Sequence, residues 1–315
     1  MMAVEGLDDG TPLIWTAFQN GINPDGTPGT VGGPTRSTIA GFDPASGALV
    51  ETIPVTGKVD GLTADAHLGR LIATVNEDLN SAFNLVDPAS KSVTRYTYSP
   101  DPAVAGNGGT DSIAVRDGLI YVAHSNPDDT TQATNYLVTL HDSTHTADLS
   151  PVFFDDSPAK DVSTGANVVL ALTDPDTNLV MSEVSRRFGG DLTTISQGDG
   201  EIIFAAHLSG TPRLEVLSTT DNVPGNVPPL DGMAVATADS GTLYVVDNGV
   251  NQIEAFDTTG WPAGTVFVGE ASDNGNPLIG TLDLKTGVVT PLANTFNNPK
   301  GLLFVANGDD QGGDG

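Results

Sequence analysis

The chain has 315 residues, no cysteine, and 12 basic residues against 40 acidic ones, a formal net charge of −28. Such a charge repels phosphate backbones and anionic lipid surfaces, which excludes nucleic-acid and membrane-surface roles. The lack of cysteine excludes disulfides, thiolate metal sites and cysteine nucleophiles.

No apolar run approaches the ~18 residues of a membrane-spanning helix. Met1-Met2-Ala3-Val4-Glu5 lacks the basic-then-apolar pattern of a secretion signal, as would a chain whose leader had been removed. The expectation is a monomer, secreted or periplasmic, with the cytoplasm as the alternative.

Along the chain, apolar residues fall in short β-branched and aromatic runs, and helical periodicity is nearly absent. Residues 13–20 read as a strand, and 19–36, rich in Gly and Pro, as a long loop. Strands 37–42 and 50–55 flank the turn Asp43-Pro44-Ala45-Ser46-Gly47. Strand 71–77 follows, then 82–86 and 92–98 around Asp87-Pro88-Ala89-Ser90. Next come 119–126, the hairpin 136–141 with 149–154, strand 191–197, and the hairpin 201–207 with 213–218. Strand 242–248 precedes 252–256, which ends on Asp257-Thr258-Thr259-Gly260. Extra apolar runs lie at 167–172, 265–269, 279–284 and 288–292.

One motif recurs through this series. Val59-Asp60-Gly61-Leu62, Thr110-Asp111-Ser112-Ile113, Pro175-Asp176-Thr177-Asn178 and Leu230-Asp231-Gly232-Met233 each lead into an apolar strand. Asn298-Pro299-Lys300-Gly301 is a fifth copy near the C-terminus. Self-similarity every ~50–70 residues is the signature of a propeller or solenoid. The expected fold is therefore an all-β β-propeller of four-stranded blades, five by repeat count and six by the number of outer hairpins. Residues 1–308 form its single domain, and a strand from each terminus shares one blade to close the ring. The tail 309–315, acidic and Gly-rich, reads as disordered.

The repeated acids are the main candidate for chemistry. Asp60, Asp111, Asp176 and Asp231 would stand at inner-strand ends around a central channel, with Gln19, Asn20, Asn76, Glu77, Ser125, Asn126, Ser196, Gln197, Asp247, Asn248 and Asn298 nearby. Converging carboxylates repel one another, and a hard divalent cation relieves that repulsion. With oxygen ligands alone, Ca²⁺ is favoured, and Mg²⁺ or Mn²⁺ are alternatives. The architectural reading is that an Asp just before a strand caps a turn through backbone N–H groups. His124, at the end of a predicted inner strand, is a candidate proton shuttle or else a hydrogen-bonded strand residue. Arg186-Arg187 either binds an anionic group or, the favoured reading, neutralises nearby acids. Trp15 and Trp261 read as packing residues. Asp174-Pro175-Asp176 fails as an EF-hand loop, because Leu179 and Ser185 stand where Gly and Glu are needed. Gly106-Asn107-Gly108-Gly109 lacks a P-loop lysine, and no G-x-S-x-G or H-E-x-x-H occurs.

Asp231-Gly232-Met233-Ala234-Val235, with Gly241-Thr242-Leu243-Tyr244-Val245-Val246-Asp247-Asn248-Gly249 and Ile253-Glu254-Ala255-Phe256-Asp257, resembles one blade of the SMP-30/gluconolactonase-like propellers and of the wider NHL and YncE-type repeats. That resemblance implies a divalent cation in the channel, held by a Glu, Asn side chains and an Asp. It implies that Asp231 is both ligand and general base for lactone hydrolysis, with Asp60, Asp111 and Asp176 at comparable blade starts. Val4-Glu5-Gly6-Leu7 faintly resembles the family's N-terminal E-G-P. The expected function is a divalent-metal-dependent hydrolase of lactone or ester type, acting on a small molecule in the channel, with Asp231 and His124 catalytic. The alternative is a non-catalytic secreted or periplasmic propeller that binds a ligand or serves as a scaffold.

Overall fold

Runs such as Arg70-Leu71-Ile72-Ala73-Thr74-Val75 alternate between two faces once extended, so both faces of such a strand need an apolar partner. A computed structural model describes residues 2–6, 12–65, 68–102, 108–127, 132–221, 226–274 and 276–307; for 2–6 and 274 it describes the backbone alone. The tail 309–315, His67, Gly106-Asn107 and the side chain of Glu5 lie outside what is described. The chain divides into two compact units, residues 1–156 with 173–178, and residues 157–172 with 179–315.

The first unit holds three antiparallel four-stranded meanders. The first joins β1 (Met2–Gly6), β2 (Pro12–Phe18), β3 (Arg36–Phe42) and β4 (Leu49–Thr56) in chain order. The second joins β5 (Val59–Asp65), β6 (Arg70–Val75), β7 (Ala82–Asp87) and β8 (Ser92–Ser99). The third joins β9 (Thr110–Arg116), β10 (Leu119–His124), β11 (Ala133–His141) and β12 (Thr146–Phe154), and meets the second through parallel pairing of β12 with β8. The sheets pack face to face. Leu71, Ala73 and Val75 of β6 join Trp15, Ile39 and Ile53 in one core. Ile72, on the opposite face of the same strand, joins Phe83, Ile113 and Val122 in the next. Full burial of such side chains contributes ~1.5–3 kcal/mol each.

The second unit also has three sheets. β13 (Pro158–Asp161) and β14 (Asn167–Val169) extend a meander of β16 (Leu192–Ser196), β17 (Glu201–Ala206) and β18 (Arg213–Ser218). β15 (Pro175–Val180) lies at its other edge. The next sheet has the order β19 (Leu230–Val235), β22 (Val266–Glu270), β23 (Leu278–Leu282), β24 (Val289–Ala293). In the last, β20 (Gly241–Asp247) lies between β21 (Gln252–Asp257) and β25 (Pro299–Ala306). Cores again form between successive sheets, with Ile195, Phe204, Met233 and Val268 in one, and Phe267, Leu243, Phe296 and Leu302 in the other.

The outer hairpins predicted at 37–55, 82–98, 136–154, 201–218 and 279–292 are present, but 252–256 opens none: among the described residues β21 pairs with β20 alone. Asp43, Asp87 and Asp257 accept backbone N–H groups two residues on, from Ala45 at 2.9 Å, Ala89 at 2.9 Å and Thr259 at 2.8 Å. Asp283 does the same for Lys285, and Asp161 accepts the N–H of Thr164, three residues on. Much of the acidity is therefore turn architecture.

Two expectations about pairing are corrected. The terminal strands do not share a sheet: β25 pairs with β20, and β2 with β1 and β3. The Asp231-Gly232-Met233 strand does not pair with β20 but with β22, from the run 265–269 that sequence leaves as an extra. The resemblance to one continuous blade over residues 231–257 is thus divided between two sheets. Among the described residues the strands form five hydrogen-bonded sheets, since β8 and β12 join two of the meanders.

Candidate functional site

Each repeated acid is the second residue of its strand, not a cap ahead of it. In three strands the register also slips at this point. Between Val59 and Leu62 two residues, Asp60 and Gly61, face Thr74 alone. The same occurs at Asp111-Ser112 and at Asp231-Gly232. These are β-bulges, which kink a strand and re-aim its side chains. The Gly61 N–H is satisfied by Thr74 Oγ1 at 2.8 Å, and the Thr74 hydroxyl donates in turn to the Asp111 carbonyl. β25 is also bulged, between Leu302 and Lys300, with Gly301 at φ 63°. Lys300 therefore takes the place that Asp takes elsewhere, and the fifth anchor is Lys300 rather than Asn298.

In the first unit Asp60 and Asp111, each at its bulge, come together with Asp176 and Glu77. Asp60 is 7% and Asp111 5% exposed, while Asp176 and Glu77 are half-buried. Asp60 is surrounded by donors: Lys58 Nζ at 2.8 Å, Gln19 Nε2 at 3.3 Å and the Glu77 amide at 3.1 Å. Lys58 Nζ also donates to Glu77 Oε1. Burial, with the Glu77 carboxylate beside it, pushes the Asp60 carboxyl up to about 7 despite Lys58. Asp111 is pushed well above the ordinary carboxylate range, by burial first and then by Asp176, to which it is hydrogen-bonded. Two adjacent carboxyl groups cannot both ionise cheaply, which is the sense in which Asp176 raises Asp111. For Lys58, burial opposes the charge, but Asp60 and Glu77 outweigh it and raise its pKa.

The local backbone sets this arrangement. Asn76 ends β6 in the left-handed region, at φ 64°, where Asn is tolerated. Its Oδ1 accepts the Lys58 amide at 2.9 Å and its own amide donates to the Lys58 carbonyl at 2.9 Å. The turn delivers the Glu77 N–H to Asp60 and the Glu77 side chain to Lys58.

The second unit places Asp231 differently. Its Oδ2 is paired with Lys300 Nζ and accepts from Gln197 Nε2 at 3.3 Å. Burial raises its pKa, against the pull of Lys300. Asp247, with no exposed surface, accepts the amides of Gly249 and Asn298 on Oδ1 and that of Asn297 on Oδ2, at 3.1, 2.9 and 2.8 Å. It anchors the entry to β25. Asn298 Oδ1 accepts the Ser272 amide.

His124 is fully buried in the third sheet of the first unit. Its Nε2 lies 3.2 Å from the Pro102 carbonyl and its ring meets Tyr136 edge-on. Burial lowers its pKa, so the ring is neutral. Arg187 does not pair with an acid as expected: its guanidinium donates to the Leu284 carbonyl at 3.0 Å and lies 4.8 Å from the Phe188 ring centroid. Trp15 is fully buried and Trp261 packs on Phe267.

A hard cation needs several carboxylates converging on one point. Lys58 lies between Asp60 and Glu77, Lys300 lies on Asp231, and Asp111 is hydrogen-bonded to Asp176. Among the described residues no group of three or more His, Cys, Asp or Glu is set to hold a metal. As arranged, these side chains do not fit the cation implied by the resemblance.

Face-packed antiparallel meanders define an all-β protein of the β-propeller class. No protein-family model matches the sequence, and no curated protein does. The chain is similar in fold to a putative 6-phosphogluconolactonase from Bacteroides uniformis, at 10% identity and a TM-score of 0.48, over 96% of this chain and 88% of that one. It is also similar to Kuenenia stuttgartiensis hydrazine synthase, at 12% identity and TM-score 0.43, over 94% and 67%. With the Neurospora crassa Pan2 WD40 domain the values are 14%, 0.39, 76% and 58%, so the chain spans little more than half of that relative's length. At these identities the likeness concerns fold alone.

Proposed function

We propose that the first unit carries a hydrolytic site for lactones or esters, worked by the Asp111–Asp176 pair. The observation that supports this most is the hydrogen-bonded Asp111–Asp176 carboxyl pair, in which Asp111 is buried and Asp176 is half-buried. Such a pair acts as base and acid in turn. A water oxygen adds to the ester carbonyl carbon, and Asp176 accepts the proton that water gives up. The Lys58 ammonium, 14% exposed and held by Asp60 and Glu77, is the cation of this cluster that would offset the negative charge developing on the carbonyl oxygen. When the tetrahedral centre collapses and the C–O bond breaks, the pair returns a proton to the leaving oxygen. No step needs His124 or Asp231.

The test is a panel of neutral lactones and aryl esters with the wild type and Asp176→Asn. Turnover falling ~10²–10⁴-fold in the variant, the typical contribution of acid–base catalysis, with an unchanged melting temperature, is the expected result. Turnover that ignores the substitution refutes the assignment. No turnover on any substrate favours the second reading, a binding propeller, for which the full set of donors on Asp60 speaks.

A further inference from the structure

We propose that Lys58 and Lys300 are built-in counter-cations that take the place of a bound divalent ion at the inner-strand carboxylates, so that these groups are held together without one.

Three observations carry this. First, Lys58 is placed by the backbone. Both its N–H and its C=O are bonded to Asn76, whose left-handed conformation also brings Glu77 round to the ammonium. The ammonium thus bridges two carboxylates from different strand ends, as a divalent ion would. Second, Lys300 stands at the bulge position that Asp occupies in β5, β9 and β19, beside Gly301 in the left-handed region, and pairs with Asp231. A basic residue has entered the acidic repeat and neutralises one of its members. Third, the chain has only 12 basic residues for 40 acidic ones, yet two of its lysines are spent on these partly buried acids. An exposed lysine pair would contribute little. These side chains are only 14% and 33% exposed, and their removal would leave carboxylates short of countercharge.

With Lys58 in place, the cluster of Asp60, Glu77 and the hydrogen-bonded Asp111–Asp176 pair keeps a reduced negative charge and no vacant position between Asp60 and Glu77. With Lys58 removed, oxygen ligands alone face that position, and the demand for a hard cation is restored. The inference does not depend on hydrolysis, since ion binding is read without turnover.

The test uses the full chain, chelator-treated and dialysed, as wild type, Lys58→Met and Lys58→Arg. Calcium chloride is titrated in by calorimetry, and melting is followed by circular dichroism with and without millimolar calcium. The expected wild type and Lys58→Arg take up no stoichiometric ion and melt unchanged by calcium. Lys58→Met melts lower, binds one ion per chain and recovers most of the lost stability in calcium. One ion bound per wild-type chain and lost in Asp60→Asn overturns the proposal. So does a Lys58→Met protein that takes up no ion, or one that stays unfolded when calcium is added.

Discussion

Asp247 offers the sharpest test of how this structure is held. The carboxylate has no exposed surface and accepts three backbone amides at 2.8–3.1 Å, with the Asn297 side-chain amide at 3.4 Å. Replacing Asp247 by Ala leaves three amides without their acceptor in a buried turn. At ~1–3 kcal/mol per unsatisfied buried group, less what water or local relaxation recovers, the expected loss is about 3–5 kcal/mol. At ~2–4 °C per kcal/mol for a domain of 150–250 residues, melting should fall by roughly 10 °C. The effect also has a sign in pH. Burial opposes ionisation of Asp247, but the amides of Asn297 and Asn298 outweigh it and lower the pKa below the usual value of 3.8. Below that usual value the unfolded chain binds the proton more readily than the folded one, so stability rises with pH there. The Asp247 contribution is complete above about pH 4–5 and is lost as pH falls through the depressed folded value. Urea unfolding of wild type and Asp247→Ala at a series of pH values measures this difference directly. A difference under about 0.5 kcal/mol at pH 7, the size of an ordinary surface substitution, or one that does not shrink on acidification, would refute the reasoning.

Gly61→Ala should destabilise by at least ~2 kcal/mol, because a Cβ there would overlap the Asp111 carbonyl oxygen and the Thr74 hydroxyl, which the bulge requires close by; thermal unfolding checks it. Asp43→Ala should cost under about 1 kcal/mol, since the turn it caps is solvent-exposed and water can replace the carboxylate; a loss of several kcal/mol would mean that the hairpin turns are not independent. Ile53→Ala, in the core between the first two sheets, should cost about 2–5 kcal/mol, read by urea midpoint, with no change in ion uptake.

Much of the chain was legible because its information is local. The alternation of apolar residues and the Asp-Pro-Ala-Ser turns determine which segments are strands, and the predicted outer hairpins are present except the one expected to open at 252–256. The recurrence of an acid near each strand start is equally local, and it marks the bulge. Strand partners are another matter. A β-strand offers the same N–H and C=O groups to any neighbour, so nothing within residues 230–247 says that β19 must skip β20 and pair with β22. That choice is made by which apolar faces fill the space between sheets. The site divides along the same line. Asp60, Asp111 and Asp176 are visible as a repeat, but Lys58 carries no motif, and Lys300 sits in the fifth copy, where sequence alone points to Asn298 as the anchor. Lys58 reaches Asp60 because Asn76 turns the chain, and Lys300 reaches Asp231 because β25 returns from far along the sequence. Sequence by itself determined an all-β chain with an acid near the start of β5, β9, β15 and β19. Only tertiary structure decided which charges meet, because burial and Coulomb energy depend on distances that the order of residues does not contain.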